Sequence, residues 1–230
     1  MPIPKDISLP VRLSAKERAF SQIQRWIIDG TLQPGEKLID SELITILGVS
    51  RTPIREAFQL LEVQGFVSAH PGKDTRVTQI EKEDILKLYP TLAALHSLAA
   101  EQAAGLISNN IIEELMEKNR RFEVAIQENE PFEAMELDEH FHKTIIKAAS
   151  NPYIETFSDS LQLHIRRFKF AFLKNQIGDT PLSVKEHEQI IAAMEKGDRQ
   201  SAAKWMKANI IRPMNELYGD LNEGRGKDCG

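Results

Sequence analysis

The sequence predicts a mainly α-helical protein in two parts: an N-terminal winged helix-turn-helix of three helices and a β-hairpin, then a C-terminal all-α bundle of about six helices. Three observations carry this. Apolar residues recur at helical spacing through most of the chain. The β-capable runs 66–70 and 75–78 directly follow a third helix, with a turn signal between them. After Ile80 no strand signal persists. Of 230 residues 41% are hydrophobic and 27% charged, enough for a real core. The expected parts are 12–80, 81–218 and a polar, Gly-rich tail over 219–230.

Ser14 and Glu17 stand in the S-x-x-E relation of a capping box and open the first helix, 14–30, which carries Phe20, Ile23 and Ile27. Pro34-Gly35 is a turn. Asp40 is placed to cap a short second helix that Gly48 ends. Ser50 or Thr52 caps the third, which tolerates Pro53 in its first turn and runs to Gly65. Pro71-Gly72-Lys73-Asp74 closes the hairpin. Further helices are expected over 82–108, 111–129, 131–149, 152–175, 182–196 and 198–218. Their breaks are Asn109-Asn110, Pro131, Asn151-Pro152, Gly178 to Pro181 and Gly197-Asp198.

The net charge is -5, but its distribution matters more. Residues 1–80 carry 10 Lys+Arg against 9 Asp+Glu, whereas 81–230 carry 19 against 25. Bulk coating of nucleic acid is excluded, and a local basic face in the first part is not. A single cysteine, Cys229, excludes an intramolecular disulfide framework and points to a reducing compartment, the cytoplasm. No apolar leader or membrane-length apolar run is present, so no membrane partner is expected.

Arg51 and Arg55 lie four apart, on one face of the third helix and in its first turns. There the helix dipole favours phosphate, and arginine can read guanine bidentately. Thr52 lies beside them. His70, Gly72 and Lys73 form a short cationic hairpin tip. The competing reading pairs Arg55 with Glu42, Glu56 or Glu62 on a solvated surface. With these residues in view, 19–80 resembles the DNA-binding domain of the GntR family of bacterial transcription regulators. The resemblance rests on IIDGTLQPGEKL, LGVSRTPIREAFQLLEVQGFV and HPGKDTRV. It implies that Arg51, Thr52, Arg55, Gly72 and Lys73 contact a double-stranded DNA operator. Ser41 stands where the fatty-acid-responsive member has an Arg, so a contact there is lost or passes to a hydroxyl.

Asp138 and His142 lie four apart in LDEHFH, and His187 follows in EHEQI. One carboxylate and two imidazoles suit a divalent transition metal. The plainer reading is a local Asp–His hydrogen bond and a surface His187. This region resembles the FCD-type helical effector domain of the FadR subfamily through LDEHFH, Asn151 and EHEQIIAAMEKGDRQSAAKWMKANI. The resemblance implies zinc or nickel at Asp138, His142 and His187, with Asn209 in the place of a fourth His. It also implies a homodimer that senses a small organic acid. The Arg and Glu that many members carry four apart on the first helix of this domain, the Arg able to meet an acidic effector, read Leu92 and His96 here. An acid must find a partner other than that Arg, and His96, His164, Arg166 and Arg167 are candidates. His164 interrupts the apolar stripe Tyr153, Phe157, Leu161 and Phe168.

Together these features predict a ligand-responsive regulator reading a pseudo-palindromic operator. The alternative is a metal-dependent hydrolase using Asp138, His142 and His187, with Glu139 or Glu186 assumed as base. The arginine pair separates the two, since a hydrolase has no use for it.

Overall fold

Apolar spacing along the N-terminal part folds into helices around a small core of its own. The computed structural model describes residues 13–69, 74–173 and 181–222, and the chain divides into two units, 1–79 and 80–230. In the first unit α1 (Ala15–Ile28) buries Ala19, Ile23 and Ile27. Its capping box is formed: Glu17 N donates to Ser14 Oγ at 3.1 Å, and Ser14 N donates to Glu17 Oε2 at 2.7 Å. α2 (Asp40–Leu47) ends at Gly48, whose φ of 63° is open to glycine at little cost. α3 (Arg51–Val63) buries Ile54, Ala57, Phe58 and Leu61 against α1. Burying each such large side chain contributes about 1.5–3 kcal/mol.

The wing is a three-stranded antiparallel sheet ordered β1-β3-β2, from β1 (Lys37–Leu38), β2 (Val67–Ala69) and β3 (Thr75–Val77). Val67 pairs with Val77 and Leu38 with Thr75. The hairpin is as expected, and β1 is added to it. Two residues are too few to show a period, so β1 exists only through its partner. The expected hairpin tip, with His70, Gly72 and Lys73, lies outside the described residues.

The second unit is all helical among its described residues. A 3₁₀ turn (Lys82–Asp84) leads into α4 (Ile85–Ala103), followed by α5 (Asn109–Gln127), α6 (Pro131–Ala148), α7 (Pro152–Leu173), α8 (Pro181–Glu195) and α9 (Arg199–Asn222). α4 packs on α9, α7 and α6, while α5 and α8 pack on each other and on α6 and α9 respectively. Phe141, Ile145, Ile165, Phe168, Leu115 and Met206 fill the main core. Phe122, Ala125, Ala134, Leu137 and Val184 form a smaller cluster joining α5, α6 and α8. Asn151 Oδ1 accepts from the amides of Tyr153 and Ile154 and caps α7. No helix among the described residues is long and apolar enough to cross a membrane.

Four expectations need correction. Asp40 is the first residue of α2 and makes no cap; Ile39 holds the cap position without a side-chain bond. Asn109-Asn110 open α5 instead of interrupting a chain segment, since α4 already ends at Ala103. α9 continues through Gly219 to Asn222, and Leu217 and Leu221 are buried in the core, so the expected boundary at 218 falls inside a helix. The buried face of α7 carries Ile154, Ser158, Ile165 and Phe168, whereas Tyr153 and Phe157 are 76% and 58% exposed. The inward stripe is thus offset by one residue from the aromatic one at Ile154, Ser158 and Ile165, and the two meet at Phe168.

Candidate metal centre and nucleic-acid interface

The turn at Gly48 brings α3 in with its N-terminus exposed. Arg51, Thr52 and Arg55 are all solvent-facing, as is Ser41 on α2. Ser50 holds the cap position of α3 but makes no side-chain cap bond. Neither Glu42, Glu56 nor Glu62 pairs with Arg55 among the described residues. Its partner is Asp40, whose Oδ2 lies 3.3 Å from Arg55 Nε and 3.9 Å from Arg51 Nε. Beside the same turn, Arg18 and Arg25 of α1 line a shallow concavity with Leu47 and Val49. They are exposed and two helical turns apart on one face, a spacing legible in the sequence but not among the residues expected to contact DNA. This face can meet a polyanion.

In the second unit α6 presents Asp138 and His142, and α8 presents His187. Their ligand atoms lie within 4.8 Å of one another. Asp138 Oδ1 is 3.3 Å from His187 Nε2 and 3.6 Å from His142 Nε2. A tetrahedral ion with bonds of about 2.0–2.1 Å holds its donors roughly 3.3 Å apart, so the spacing fits. The rings are oriented from behind. His187 Nδ1 meets Asn119 Oδ1 at 2.9 Å, and the Asn119 amide donates to the Val184 carbonyl at 3.1 Å. An Asn committed as donor through its nitrogen accepts through its oxygen, so His187 carries its proton on Nδ1. His142 Nδ1 meets Met206 Sδ at 3.2 Å. Both Nε2 lone pairs then face a carboxylate, and His187 Nε2 is buried without a hydrogen-bond partner. Three electron-pair donors converging in this way form a set able to hold a cation.

The protonation equilibria agree. Burial would raise the Asp138 carboxyl, but the neighbouring His142 and His187 imidazoles outweigh it and hold the group well below the usual carboxylate range. Burial pushes His187 down, against the opposing pull of Asp138. His187 is therefore a neutral donor at neutral pH, as a metal ligand must be.

Asp138, His142 and Asn209 open onto a cavity of about 370 Å³, with Leu92, His96, Ser158 and Arg166 also on its wall. His96 was expected only as an effector contact. Its ring lies 5.3 Å from that of His142, beside the metal position. Burial and the neighbouring His142 push it well below the ordinary imidazole range. His96 Nδ1 and Ser158 Oγ are both buried without a hydrogen-bond partner. Arg166 Nε donates to both oxygens of Glu139, at 2.9 and 2.7 Å. His164 and Arg167 do not line the cavity, and Arg167 is buried elsewhere in the unit. The Asn209 amide donates to Glu186 Oε2 at 3.0 Å, and Arg212 donates to the same carboxylate and to Ser183 Oγ. Its amide oxygen is left as the atom able to face an ion. The sequence singles out neither Asn119 nor Met206, and Glu186 only as an assumed base; packing makes all three neighbours of the site.

Residues 87–212 match the FCD domain, and residues 15–77 match the bacterial regulatory proteins of the gntR family. The HTH-type transcriptional regulator YdhC of Bacillus subtilis is 26% identical over 209 residues, 90% of this chain and 92% of that protein. A probable D-xylose utilization operon transcriptional repressor of Paenarthrobacter nicotinovorans is 28% identical over 193 residues, 79% of this chain and 81% of that one. The solved structure of McbR/YncC from E. coli matches with a TM-score of 0.70 at 17% identity, covering 93% of this chain and all of its own, a likeness of fold.

Proposed function

Because the chain belongs to the GntR family of bacterial regulators and carries an FCD domain, we propose that it is a ligand-responsive repressor. In this reading it binds a pseudo-palindromic operator in the cytoplasm as a homodimer, and its helical unit senses a small organic acid beside zinc or nickel. The carrying observation is the convergence of Asp138, His142 and buried His187 beside a cavity that Asp138 and His142 line, in a chain that also exposes Arg51 and Arg55 at a recognition-helix N-terminus. Asp138, His142 and His187 would hold the ion, with the Asn209 amide oxygen as a fourth, weaker donor. When bound, the ion supplies positive charge and an open coordination position to the cavity.

The cavity explains why such charge is useful. Leu92 offers an acid nothing, and Arg166 is already paired with Glu139. Lys143 is likewise paired, with Asp159 at 2.9 Å. His96 Nδ1 and Ser158 Oγ are buried polar atoms awaiting partners, and a hydroxyl or carboxylate oxygen satisfies both. An effector touching α4, α6 and α7 together shifts the bundle only if it prefers one packing over another.

The hydrolase alternative gains nothing from the geometry. The two carboxylates available as general base, Glu139 and Glu186, are held by Arg166 and by Arg212 with Asn209. The relatives are named as transcription regulators.

The test combines metal analysis with gel shift. Protein incubated with zinc or nickel and desalted retains metal, and His142→Ala retains none while its metal-free DNA binding is unchanged. Failure of the wild type to retain zinc, nickel or manganese removes the metal from this reading. Failure to retard any sequence selected from a random duplex pool removes the regulator.

A further inference from the structure

Asp40 is a partly buried helix residue that makes no cap. An acidic residue in the first turn of a helix ordinarily serves its own helix, through the dipole or a free amide. Asp40 instead directs its carboxylate across to α3. Oδ2 accepts a hydrogen bond from Arg55 Nε at 3.3 Å, and Arg51 Nε is 3.9 Å from the same oxygen. One carboxylate thus stands behind both arginines of the exposed face. The arginine side chains are 65% and 67% exposed and that of Asp40 26%, so these pairs are solvent-screened and hold α2 to α3 only weakly. Buried Leu43, Ile54, Ala57 and Phe58 do that work.

The atoms involved matter. Base reading by arginine is bidentate, through two nitrogens of a planar fork. A carboxylate seated at Nε leaves the two terminal nitrogens of each guanidinium available for an end-on approach to a guanine edge. It also biases the rotamers of a long side chain that otherwise loses more freedom on binding. A fixed negative charge next to the reading face further disfavours the sequence-independent attraction of phosphate.

We propose that Asp40 is the positioning and specificity residue of the DNA interface: it holds Arg51 and Arg55 by their Nε edges for base reading and penalises binding to phosphate alone. This rests on the DNA-reading function proposed above. Asp40 improves operator affinity by orienting the two arginines and lowers non-operator affinity by offsetting their attraction for phosphate, so both effects act through Arg51 and Arg55 and widen the ratio between the two affinities.

The test uses the full chain and two probes: the duplex that wild-type protein selects from a random pool, and an unrelated duplex of equal length. Affinities are read by fluorescence anisotropy at one salt concentration. Asp40→Asn keeps the shape and removes the charge. It is expected to lower the operator-to-unrelated ratio roughly tenfold, with the unrelated duplex bound as tightly as by wild type or more so. Asp40→Glu restores the carboxylate and is expected to recover most of the ratio, a rescue that a purely structural role does not predict. In an Arg51→Ala/Arg55→Ala background, Asp40→Asn is expected to leave the ratio where it was. Circular dichroism verifies that each variant is folded, and Asp40→Ser replaces Asp40→Asn if the latter is not. A ratio for the folded variant within about twofold of wild type overturns the proposal, as does an equal loss in the arginine-free background. If wild type selects no sequence at all, the DNA-reading function itself fails, an outcome distinct from a selected operator that Asp40→Asn reads equally well.

Discussion

His187 meets Asp138 through the nitrogen that its bond to Asn119 leaves unprotonated. Asn119 touches no ion, yet it fixes which lone pair the site receives. Removing such a supporting partner typically lowers metal affinity about 10–100-fold. Asn119→Ala is expected to show this in a chelator-competition titration with zinc, while Asn119→Asp, which keeps the acceptor, loses less. Equal affinity for Asn119→Ala and wild type would show that the ring is oriented by Phe141, stacked on it at 3.8 Å, instead. Asn209→His replaces an amide oxygen by an imidazole and is expected to tighten zinc or nickel binding in the same titration. The metal-free site also predicts a pH dependence. His96 and His187 both titrate below the ordinary imidazole value of 6.5 when folded. As pH falls through that value, the unfolded chain takes up protons that the folded one does not, so stability falls. Asp138, depressed as well, adds a loss of the same sign at lower pH. Urea midpoints of the metal-free protein should therefore be lower at about pH 5.5 than at about pH 7.5, and His96→Leu should reduce the difference. A flat or reversed profile contradicts the burial of these rings.

At the scale of elements, the helix-turn-helix depends on Gly48. Its φ is 63°, and a Cβ added there would meet nothing within 4 Å. Gly48→Ala therefore tests backbone strain alone and is expected to cost about 1–2 kcal/mol of stability, with Gly48→Asn costing less. A neutral Gly48→Ala in thermal unfolding would mean that the turn relaxes. Elements of this kind were legible in the sequence because their signals are local: the Ser14–Glu17 box, the Gly stops, Pro131 at the first position of α6. What was not legible depends on distant partners. β1 is two residues that become a strand only opposite Thr75 and Arg76. The inward face of α7 is chosen by its packing on α4, which takes Ile154 and Ser158 and leaves Tyr153 and Phe157 outside. Asp138, His142 and His187 could be read as a candidate ligand set from their types and spacing, and the fold brings them together. His96 could not be placed beside them, because nothing in a sequence states that α4 packs on α6.

For the whole molecule, the two parts of the function differ in what they require. A bound ion stabilises the unit that holds it by mass action, about 2.7 kcal/mol at a hundred times its dissociation constant. Zinc should raise the unfolding temperature of wild type and leave His142→Ala unmoved, because Asp138 with one imidazole no longer encloses an ion. DNA reading requires more than one chain provides. A single exposed N-terminus offers Arg51 and Arg55, and each base read correctly is worth roughly 1–3 kcal/mol of discrimination. Specific operators are commonly bound 10³–10⁷-fold more tightly than random DNA, about 4–10 kcal/mol, which two arginines reach only at the lower end. Two copies related by a two-fold axis double the contacts and read half-sites about one helical turn apart. Sedimentation velocity at micromolar concentration is therefore expected to show a dimer. Inserting about five base pairs between the half-sites puts the second on the opposite side of the duplex, and affinity should fall towards the single-site value. A monomer that binds one half-site as tightly as the full operator would place specificity outside these two arginines and their two-fold repetition.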